Sequence, residues 1–150
     1  MKLTIERAAL LRSLNHVQSV VERRNTIPIL ANVLLQSSDG GVKLTATDMD
    51  ISIVETVPSQ VATAGDTTAP VHTLYDIVRK LPEGAQVELD SNSEDGRLVL
   101  QSGRSRFVLA SLPTADFPAM SDGNLPHRFV ISAASLRALI DRTRFAISTE

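Results

Sequence analysis

The sequence predicts an α+β protein in which a strand–helix–strands unit is duplicated and two helices pack on antiparallel sheets. Three observations indicate this class: apolar residues at helical spacing in separate segments, runs of alternating polarity between turn residues, and strand–helix starts that recur near residues 3, 67 and 129. The resulting period of roughly 60 residues is too long for the common solenoid repeats. Two such units are expected to complete one domain, and the third opens another.

The first repeat starts with a short strand at residues 3–5 and continues into an amphipathic helix. One face of that helix is apolar at spacings of three and four residues, with Leu10, Leu14, Val17 and Val21. The opposite face is polar, with Arg12, His16, Ser19 and Arg23. Pro28 ends any further helix, because its ring clashes with the preceding turn and it has no N–H to donate.

Strands follow the helix in both repeats. In the first repeat they are expected at residues 29–36, 42–46 and 51–57 and near Val61, with turn residues such as Gly40 between the first two. The second repeat has the same order of a strand, a helix and three strands, at 67–71, 72–80, 87–89, 98–100 and 107–109. The sequence therefore predicts mostly antiparallel sheets, because short turns connect successive strands.

A proline-containing stretch separates two expected domains. We assign residues 1–115 to a first domain, 116–127 to an extended linker and 128–150 to the beginning of a second domain. The stretch 112–127 holds three prolines, one glycine and little periodicity, a composition typical of linkers. A third helix near residues 133–145 has an apolar face and no following sheet, so we expect the chain to be the front portion of a longer protein.

Composition excludes several classes of function. The chain of 150 residues has no cysteine, which excludes disulfide scaffolds, cysteine-ligated metal centres and thiol nucleophiles. Aromatic residues make up 3%, too few for a platform that stacks single-stranded bases. No apolar run approaches the length of about 18 residues that a membrane helix needs, and the N-terminus lacks a signal-peptide pattern. We therefore expect a cytoplasmic protein without a membrane partner.

Charge is distributed unevenly along the chain. The net charge is −2, but the helical segments 7–24, 72–80 and 137–144 carry nine basic and three acidic residues, a net +6. The rest of the chain therefore carries −8. Helices on one side of a sheet would present a cationic surface, which favours a polyanion through phosphate contacts without base reading. Basic residues on amphipathic helices also commonly face only water, and composition alone does not separate these interpretations.

No pattern in the sequence favours catalysis or metal binding. Asp48 and Asp50 lie close together, but a Mg²⁺ or Ca²⁺ site needs further oxygen ligands, so a polar turn is the better interpretation. The histidines lack zinc-ligand spacing; they are His16, His72 and His127. Residues 102–106 resemble a phosphate loop, but they lie between strands rather than at a helix start. We therefore expect no catalytic residue, no metal site and no cofactor.

Five segments together resemble one protein family. They read RNTIPILANVLL from residue 24, LTATDMD from 44, LPEGA from 81, SGRSRF from 102 and LPTADFP from 112. In this order they resemble the bacterial DNA polymerase III beta subunit, the replicative sliding clamp, and the resemblance runs through the whole chain. Chains of this family have three domains of the DNA-clamp fold. The resemblance implies that this chain matches the first domain, the linker and the start of the second domain.

The resemblance also implies a function in DNA replication. In this family two chains join head to tail in a ring, with helices lining the hole and sheets outside. The ring encircles duplex DNA without sequence specificity and tethers the replicative polymerase, so the subunit is a non-catalytic processivity factor. DNA polymerase III and the clamp loader bind a cleft between the second and third domains, which this chain does not contain.

Individual positions correspond to DNA-proximal positions of the family. Arg24 matches a DNA-contacting arginine beside the first helix. His72 stands where the best-studied lineage has arginine, so a phosphate contact there is expected to weaken above neutral pH. Glu150 stands at a position that is often Gln, and a carboxylate there would repel phosphate. With the helix charges added, the expected DNA-binding set is Arg12, Arg24, His72, Arg79, Arg137 and Glu150.

A dimer contact is expected at one sheet edge. The strand that resembles the dimer-forming edge of the family carries Arg104, Arg106, Phe107 and Leu109. In the family this edge pairs with the third domain of a second clamp chain. Phe107 and Leu109 are equally compatible with an ordinary core, because one face of an edge strand is buried in either case.

Two other functions remain open on the sequence alone. A non-catalytic β-rich protein-interaction module with solvated basic helices would have the same pattern. A steep loss of duplex affinity with salt would distinguish a clamp from such a module. A small enzyme would require a pocket with convergent acid–base groups, for which the sequence offers no candidate.

Overall fold

The computed structural model describes residues 1–23, 26–92, 96–118 and 127–148. The chain divides into two units, Met1–Met120 and Ser121–Glu150. The helices and strands of the first unit are β1 (Lys2–Glu6), α1 (Arg7–Val17), β2 (Asn32–Ser38), β3 (Gly41–Thr47), β4 (Ser52–Pro58), β5 (Gln60–Thr63), β6 (Gly65–Pro70), α2 (Val71–Lys80), β7 (Gln86–Asn92), β8 (Arg97–Ser102) and β9 (Ser105–Ala110).

Two antiparallel sheets contain these strands. Their orders are β5-β1-β7-β8-β9 and β4-β3-β2-β6. β1 opens the first repeat but pairs with β7 of the second, so that Leu3 lies opposite Leu89. β6 opens the second repeat but pairs with β2 of the first, so that Ala69 lies opposite Val33. Apart from edge strand β5, the two sheets have the same strand order, which confirms the predicted duplication.

The first helix is shorter than its apolar pattern predicts. α1 ends at Val17, and one 3-10 turn, Gln18–Val20, leads to Val21, which is extended (φ −94°, ψ 117°). Adjacent β-branched residues at Val20 and Val21 disfavour further helix, because their side chains crowd the preceding turn. Val21 is nevertheless buried, with 5% of its surface exposed, so the apolar face continues beyond the helix.

α1 and α2 lie antiparallel and in contact. The start of α1 meets the end of α2, where Arg7 Nε donates to the Val78 carbonyl at 3.1 Å. The opposite ends also meet, since His72 Nε2 lies 2.9 Å from the Val21 carbonyl oxygen. Each helix buries one apolar stripe, formed by Leu10, Leu14 and Val17 in α1 and by Val71, Leu74 and Val78 in α2.

The main core is aliphatic. One cluster joins the buried stripes of both helices to the inward faces of both sheets. Its largest fully buried side chains include Leu3, Ile5, Leu35, Leu44, Leu89 and Leu100. Tyr75 and Phe107 pack against this cluster while partly exposed. Burial of each large aliphatic side chain contributes about 1.5–3 kcal/mol, and this burial fixes which helix faces remain in solvent.

The turn between β2 and β3 lies where the sequence predicts it and requires both of its glycines. Gly40 has a φ of 98°, in a region that side chains disfavour. Gly41 has a different constraint, because a Cβ there would lie 2.6 Å from the carbonyl oxygen of Val57. The close approach of β4 to β3 therefore depends on glycine at this position.

A smaller apolar cluster lies outside the main core. Its members are buried Ile29, Leu30 and Phe117, with Leu34 and Leu112 partly buried beside them. Side chains alternate along β2, so Leu34 faces away from the core that Val33 and Leu35 enter. Phe117 of the predicted linker thus packs on the first unit. Residues 119–126 lie outside the described residues, and the predicted domain boundaries remain a prediction.

The second unit contains helix α3 (Ala133–Thr143), followed by the 3-10 turn Arg144–Ala146. Ser132 caps the helix by accepting a hydrogen bond from the Ser135 N–H at 3.1 Å. Residues 128–131 were expected to form a strand, but they do not, since the described part of this unit offers no strand to pair with. The apolar residues Leu136, Leu139 and Ile140 are 46%, 53% and 53% exposed.

No helix within the described ranges combines the length and the apolar character that crossing a bilayer requires.

Candidate nucleic-acid interface

The exposed side of the α1–α2 pair carries basic side chains. Arg12 on α1, Arg23 beyond the 3-10 turn, and Arg79 and Lys80 at the end of α2 are exposed. Among the described residues, no carboxylate lies within 4.0 Å of the charged groups of Arg12, Arg23 or Lys80. We call this exposed side of the two helices, with Arg12, Arg23, Arg79 and Lys80, the helix surface. Its cations are accessible to an anion in solution.

Arg79 is partly neutralised by its own helix. Its Nη2 lies 3.4 Å from Oδ1 of Asp76, one turn earlier. Its guanidinium also lies over the ring of Tyr75, 5.7 Å from the ring centroid. The side chains of Arg79 and Asp76 are both solvent-accessible, and an exposed ion pair of this kind is weak. Arg79 can therefore exchange Asp76 for another anion at little cost.

Arg7 binds the neighbouring helix instead of facing solvent. Its guanidinium donates to the carbonyls of Val78 at 3.1 Å and Arg79 at 2.6 Å. These carbonyls belong to the last turn of α2, where backbone acceptors lack helical partners and attract positive charge. One of the nine helix cations therefore holds the helix pair together and contributes little to the helix surface.

His72 also contacts the other helix. Its Nε2 lies 2.9 Å from the Val21 carbonyl oxygen, and its Nδ1 lies 3.4 Å from Oε1 of Gln18. A carbonyl can only accept, so Nε2 carries a proton in this contact. A phosphate contact by His72 would require the half-buried ring to leave these partners, and the expected role of this residue in DNA binding remains a prediction.

The remaining members of the expected DNA-binding set are placed differently. Arg24 and Glu150 lie outside the described residues. Arg137 belongs to the second unit, where its Nε lies 3.7 Å from Oδ2 of Asp141 on α3. The structure therefore brings Arg12 and Arg79 onto one helix pair, and it describes Arg137 in a separate unit.

The strand expected to form the dimer contact is an edge strand. β9 ends the five-stranded sheet and pairs only with β8 among the described residues. Arg104 and Arg106 are exposed, Phe107 is partly buried against the main core, and Leu109 is buried with 6% exposed. The core interpretation therefore accounts for Leu109. The edge still offers two exposed arginines and one unpaired row of backbone groups.

Asp48 caps a turn, in accord with the interpretation of the sequence. Its Oδ1 accepts hydrogen bonds from the backbone N–H of Ile51 at 2.7 Å and of Asp50 at 3.0 Å. These hydrogen bonds, above all the one from Ile51, lower the pKa of the Asp48 carboxyl because they stabilise its charged form. The described residues contain no group of three or more acidic or histidine side chains arranged to hold a metal ion.

Two acidic residues that contact α1 were not assigned a role from the sequence. Glu6 caps α1, and its two oxygens accept from the N–H groups of Ala8 at 3.0 Å and Ala9 at 2.9 Å. Its position just before the apolar helix pattern could have indicated this role. Glu55 on β4 binds His16 on α1, with Oε1 2.8 Å from Nδ1. These residues are 39 positions apart, so no spacing rule predicts the contact.

The sequence and the fold of this chain have close counterparts among known proteins. Residues 1–121 match the family model of the DNA polymerase III beta subunit, N-terminal domain. The beta sliding clamp of Caulobacter vibrioides is 57% identical over 150 residues, covering 100% of this chain and 40% of that protein. The beta sliding clamp of Escherichia coli K12 is 41% identical over 149 residues, covering 99% of this chain and 40% of that protein.

Solved structures agree with these sequence matches. Caulobacter crescentus pol III beta superimposes with a TM-score of 0.93 at 57% identity, covering 100% of this chain and 41% of that chain. The DNA polymerase III subunit beta from Pseudomonas aeruginosa superimposes with a TM-score of 0.91 at 39% identity, covering 100% of this chain and 40% of that chain.

Two matching sheets with exchanged first strands, packed against an antiparallel helix pair, define a domain of the sliding-clamp class. The chain belongs to the DNA polymerase III beta subunit family, and its residues 1–121 form the N-terminal domain of that family. The chain spans about 40% of the length of the curated relatives that it matches.

Proposed function

We propose that this chain carries the first domain of a ring-shaped processivity factor for DNA replication. In the proposed ring, two longer chains associate head to tail around duplex DNA and tether the replicative polymerase without reading sequence. DNA polymerase III and the clamp loader then bind parts of the protein outside this domain. We further propose that the subunit is non-catalytic and acts in the cytoplasm.

The exposed charge of the helix surface is the observation that supports this function. Arg12, Arg23 and Lys80 have no carboxylate within ion-pair distance in the described parts of the chain. Cations on exposed helix faces contact phosphate oxygens, and each neutralised phosphate releases bound counterions. Phosphate contacts position a protein on DNA but carry no sequence information. Such binding is weak and uniform along the duplex, so the protein can slide. The closed ring around the duplex then prevents its dissociation.

The edge strand β9 supports the proposed dimer. Its outer backbone groups have no strand beside them in the described residues, and Arg104 and Arg106 are exposed next to that row. A strand of a second chain that carries acidic side chains could extend the sheet there by backbone hydrogen bonds and ion pairs. We propose this edge, with Phe107 and Leu109 anchoring it to the core, as the contact with the second chain.

Replacement of Arg12 by alanine tests the proposed contact with DNA. The wild-type chain is expected to bind unrelated duplexes of equal length with equal affinity, falling steeply between about 50 and 200 mM salt. Arg12→Ala should weaken binding severalfold on every duplex and reduce the salt slope by about one unit, because one phosphate contact is lost. Fluorescence anisotropy with labelled duplexes measures both quantities.

Arg97→Ala is the matched control for this measurement. Arg97 is exposed on β8, where its neighbour Leu98 enters the core, so Arg97 faces away from the helix side of the sheet. Its removal should leave the affinity and the salt slope unchanged. Absence of duplex binding by the wild-type chain, or equal losses in the two variants, would instead favour a protein-interaction module with solvated basic helices.

A further inference from the structure

A hydrogen bond connects α1 to edge strand β4. His16 Nδ1 lies 2.8 Å from Glu55 Oε1, with side-chain exposures of 53% and 32%. An ionised carboxylate only accepts hydrogen bonds, so Nδ1 of the imidazole is the donor. The other ring nitrogen, Nε2, has no hydrogen-bond partner among the described residues.

Glu55 faces the helix side of its sheet. Side chains alternate along β4, and the residues two positions before and after Glu55 both meet the main core: Ile53 packs against it and Val57 is 4% exposed. Glu55 therefore points toward α1, while Val54, 56% exposed, points away. A carboxylate thus lies on the same side of the sheet as the cations of the helix surface.

His16 lies beside Arg12 on the exposed face of α1. It follows Arg12 by four residues, and residues at this spacing are neighbours on one helix face. Both side chains are exposed. Of the two, Arg12 has no carboxylate within ion-pair distance in the described residues, whereas His16 is bound to Glu55. The contact therefore occupies the Nδ1 donor of His16 and places a carboxylate beside it.

We propose that Glu55 is a negative determinant of duplex affinity, which binds His16 and repels phosphate at this end of the helix surface. This inference rests on the proposed function. Removal of Glu55 would free Nδ1 of His16 to donate to a phosphate and would remove a repulsive charge. Weak attraction suits a protein that must move along DNA, because each step breaks the existing phosphate contacts.

If the His16–Glu55 contact serves only to hold α1 against β4, a different result is expected. In that case Glu55→Gln would lower thermal stability and would leave duplex affinity unchanged or reduced. The contact is solvent-accessible, and exposed contacts of this kind contribute little to stability even between charged groups. The fold should therefore tolerate the substitution, and circular dichroism with thermal melting checks that it does.

The experiment compares four variants of the chain by fluorescence anisotropy with a labelled duplex at low salt. Glu55→Gln should tighten binding about two- to fivefold, as loss of one nearby repulsive charge predicts. His16→Ala should weaken binding, because it leaves the Glu55 carboxylate without its partner. The double variant should bind less tightly than Glu55→Gln alone. The control is Glu88→Gln on β7, an exposed strand glutamate whose neighbours Val87 and Leu89 enter the core, so its affinity should equal that of the wild-type chain.

The outcomes separate this inference from the function on which it rests. If the wild-type chain does not bind duplex, the proposed function fails and the inference fails with it. If the wild-type chain binds and Glu55→Gln matches Glu88→Gln, only the inference is overturned. If Glu55→Gln fails to fold, His16→Ala decides: unchanged affinity in that variant overturns the inference, and weaker binding supports it.

Discussion

At the scale of single residues, the basic side chains of the helix pair have two distinct roles. Arg7 binds backbone carbonyls of the opposite helix, and His72 lies within hydrogen-bond distance of one. Arg12 and Lys80 face solvent without a carboxylate at ion-pair distance in the described residues. Members of the first group should affect stability when removed, and members of the second should affect anion binding.

Arg7→Ala should destabilise the first unit by about 1–2 kcal/mol, since it deprives two carbonyls of a charged donor. Lysine at this position should restore only part of the loss, because an ammonium group lacks the forked geometry of guanidinium. Urea unfolding followed by circular dichroism measures the change. Arg12→Ala provides the comparison, and we expect its midpoint to match that of the wild type. Equal destabilisation by both variants would contradict the division into two roles.

Glu6 should make the stability of α1 depend on acid. Hydrogen bonds from the Ala8 and Ala9 N–H groups lower its pKa below the ordinary value of 4.5, with smaller contributions from Arg7 and Arg12. A carboxyl whose pKa is lower in the folded state stabilises the fold above its unfolded pKa, and this stabilisation disappears as the pH falls through the folded pKa.

The melting temperature measured from pH 6 down to pH 3 tests this prediction. The wild-type chain should lose stability below about pH 4.5, and Glu6→Gln should lose less over the same interval, because it has no charge to neutralise. Glu88→Gln, which alters an exposed strand residue, should follow the wild-type curve. Parallel curves for Glu6→Gln and the wild type would show that the cap carries no acid dependence.

At the scale of elements, a buried hydroxyl joins the exit of β9 to β6. Thr68 is fully buried, and its Oγ1 donates to the Leu112 carbonyl at 2.8 Å. The same oxygen accepts from the Leu112 N–H at 2.8 Å and from Asn32 Nδ2 at 3.0 Å. One side chain therefore satisfies three polar groups and holds the segment that leads to Phe117 on the outer face of the sheet.

Thr68→Val should destabilise the first unit by about 1–3 kcal/mol, although the volume barely changes, because buried polar groups lose their partner. The segment from Leu112 to Phe117 should also become more accessible to protease. Urea unfolding and limited proteolysis measure the two effects. Thr45→Val on β3 is the control, since Thr45 is only partly buried on the face opposite Leu44. Unchanged cleavage in Thr68→Val would separate the hydroxyl from the placement of this segment.

Some elements of this fold could be predicted from the sequence, whereas others depend on contacts between distant segments. The apolar stripe of α2 and the turn at Gly40 follow local rules, and both occur where the sequence predicts them. The exchange of β1 and β6 between the sheets depends on pairing between distant segments, which no local pattern encodes. The burial of Phe117, which the sequence placed in the linker, also depends on distant segments. The residues that bury it, Ile29 and Leu30, lie far away in sequence.

The candidate site was predictable in part. The helical spacing of Arg12 and the polar character of its face follow from the sequence, and the structure exposes that side chain. The hydrogen bonds of Arg7 to α2 required the antiparallel packing of the two helices to be known. The Glu55 contact required the packing of α1 against β4. Charge type is a property of the sequence, whereas the partners of each charge follow from tertiary structure.

At the scale of the whole molecule, the distribution of charge matters more than its total. The chain has a net charge of −2, yet α1 contains no acidic residue and its Arg12 is exposed. Local potential near a surface depends on the charges within about a Debye length, roughly 8–10 Å at physiological salt. A protein of negative net charge can therefore hold a polyanion on one side while its other surfaces repel it.

Strand β9 is an exposed sheet edge, and two copies of this chain could in principle pair there. An uncovered edge strand offers free backbone groups to any second strand, and charged side chains on the edge oppose such pairing. Two β9 strands paired antiparallel about Arg106 would place Arg106 directly opposite the Arg106 of the second copy, and other registers still bring the arginines of both copies to one edge-to-edge contact. Like charges directly opposite across a strand pair are destabilising. The arginines should therefore disfavour self-pairing and favour an acidic partner strand.

Replacing both edge arginines by alanine should increase self-association of the chain. The wild-type chain is expected to sediment as a monomer, and the Arg104→Ala/Arg106→Ala variant should shift toward a dimer as protein concentration rises. Sedimentation velocity over a tenfold concentration range measures this shift, and high salt should produce part of the same effect in the wild type by screening the repulsion. Arg97→Ala, an exposed arginine on β8, should remain monomeric. A wild-type dimer, or equal behaviour of the edge variant and Arg97→Ala, would contradict this role for the arginines.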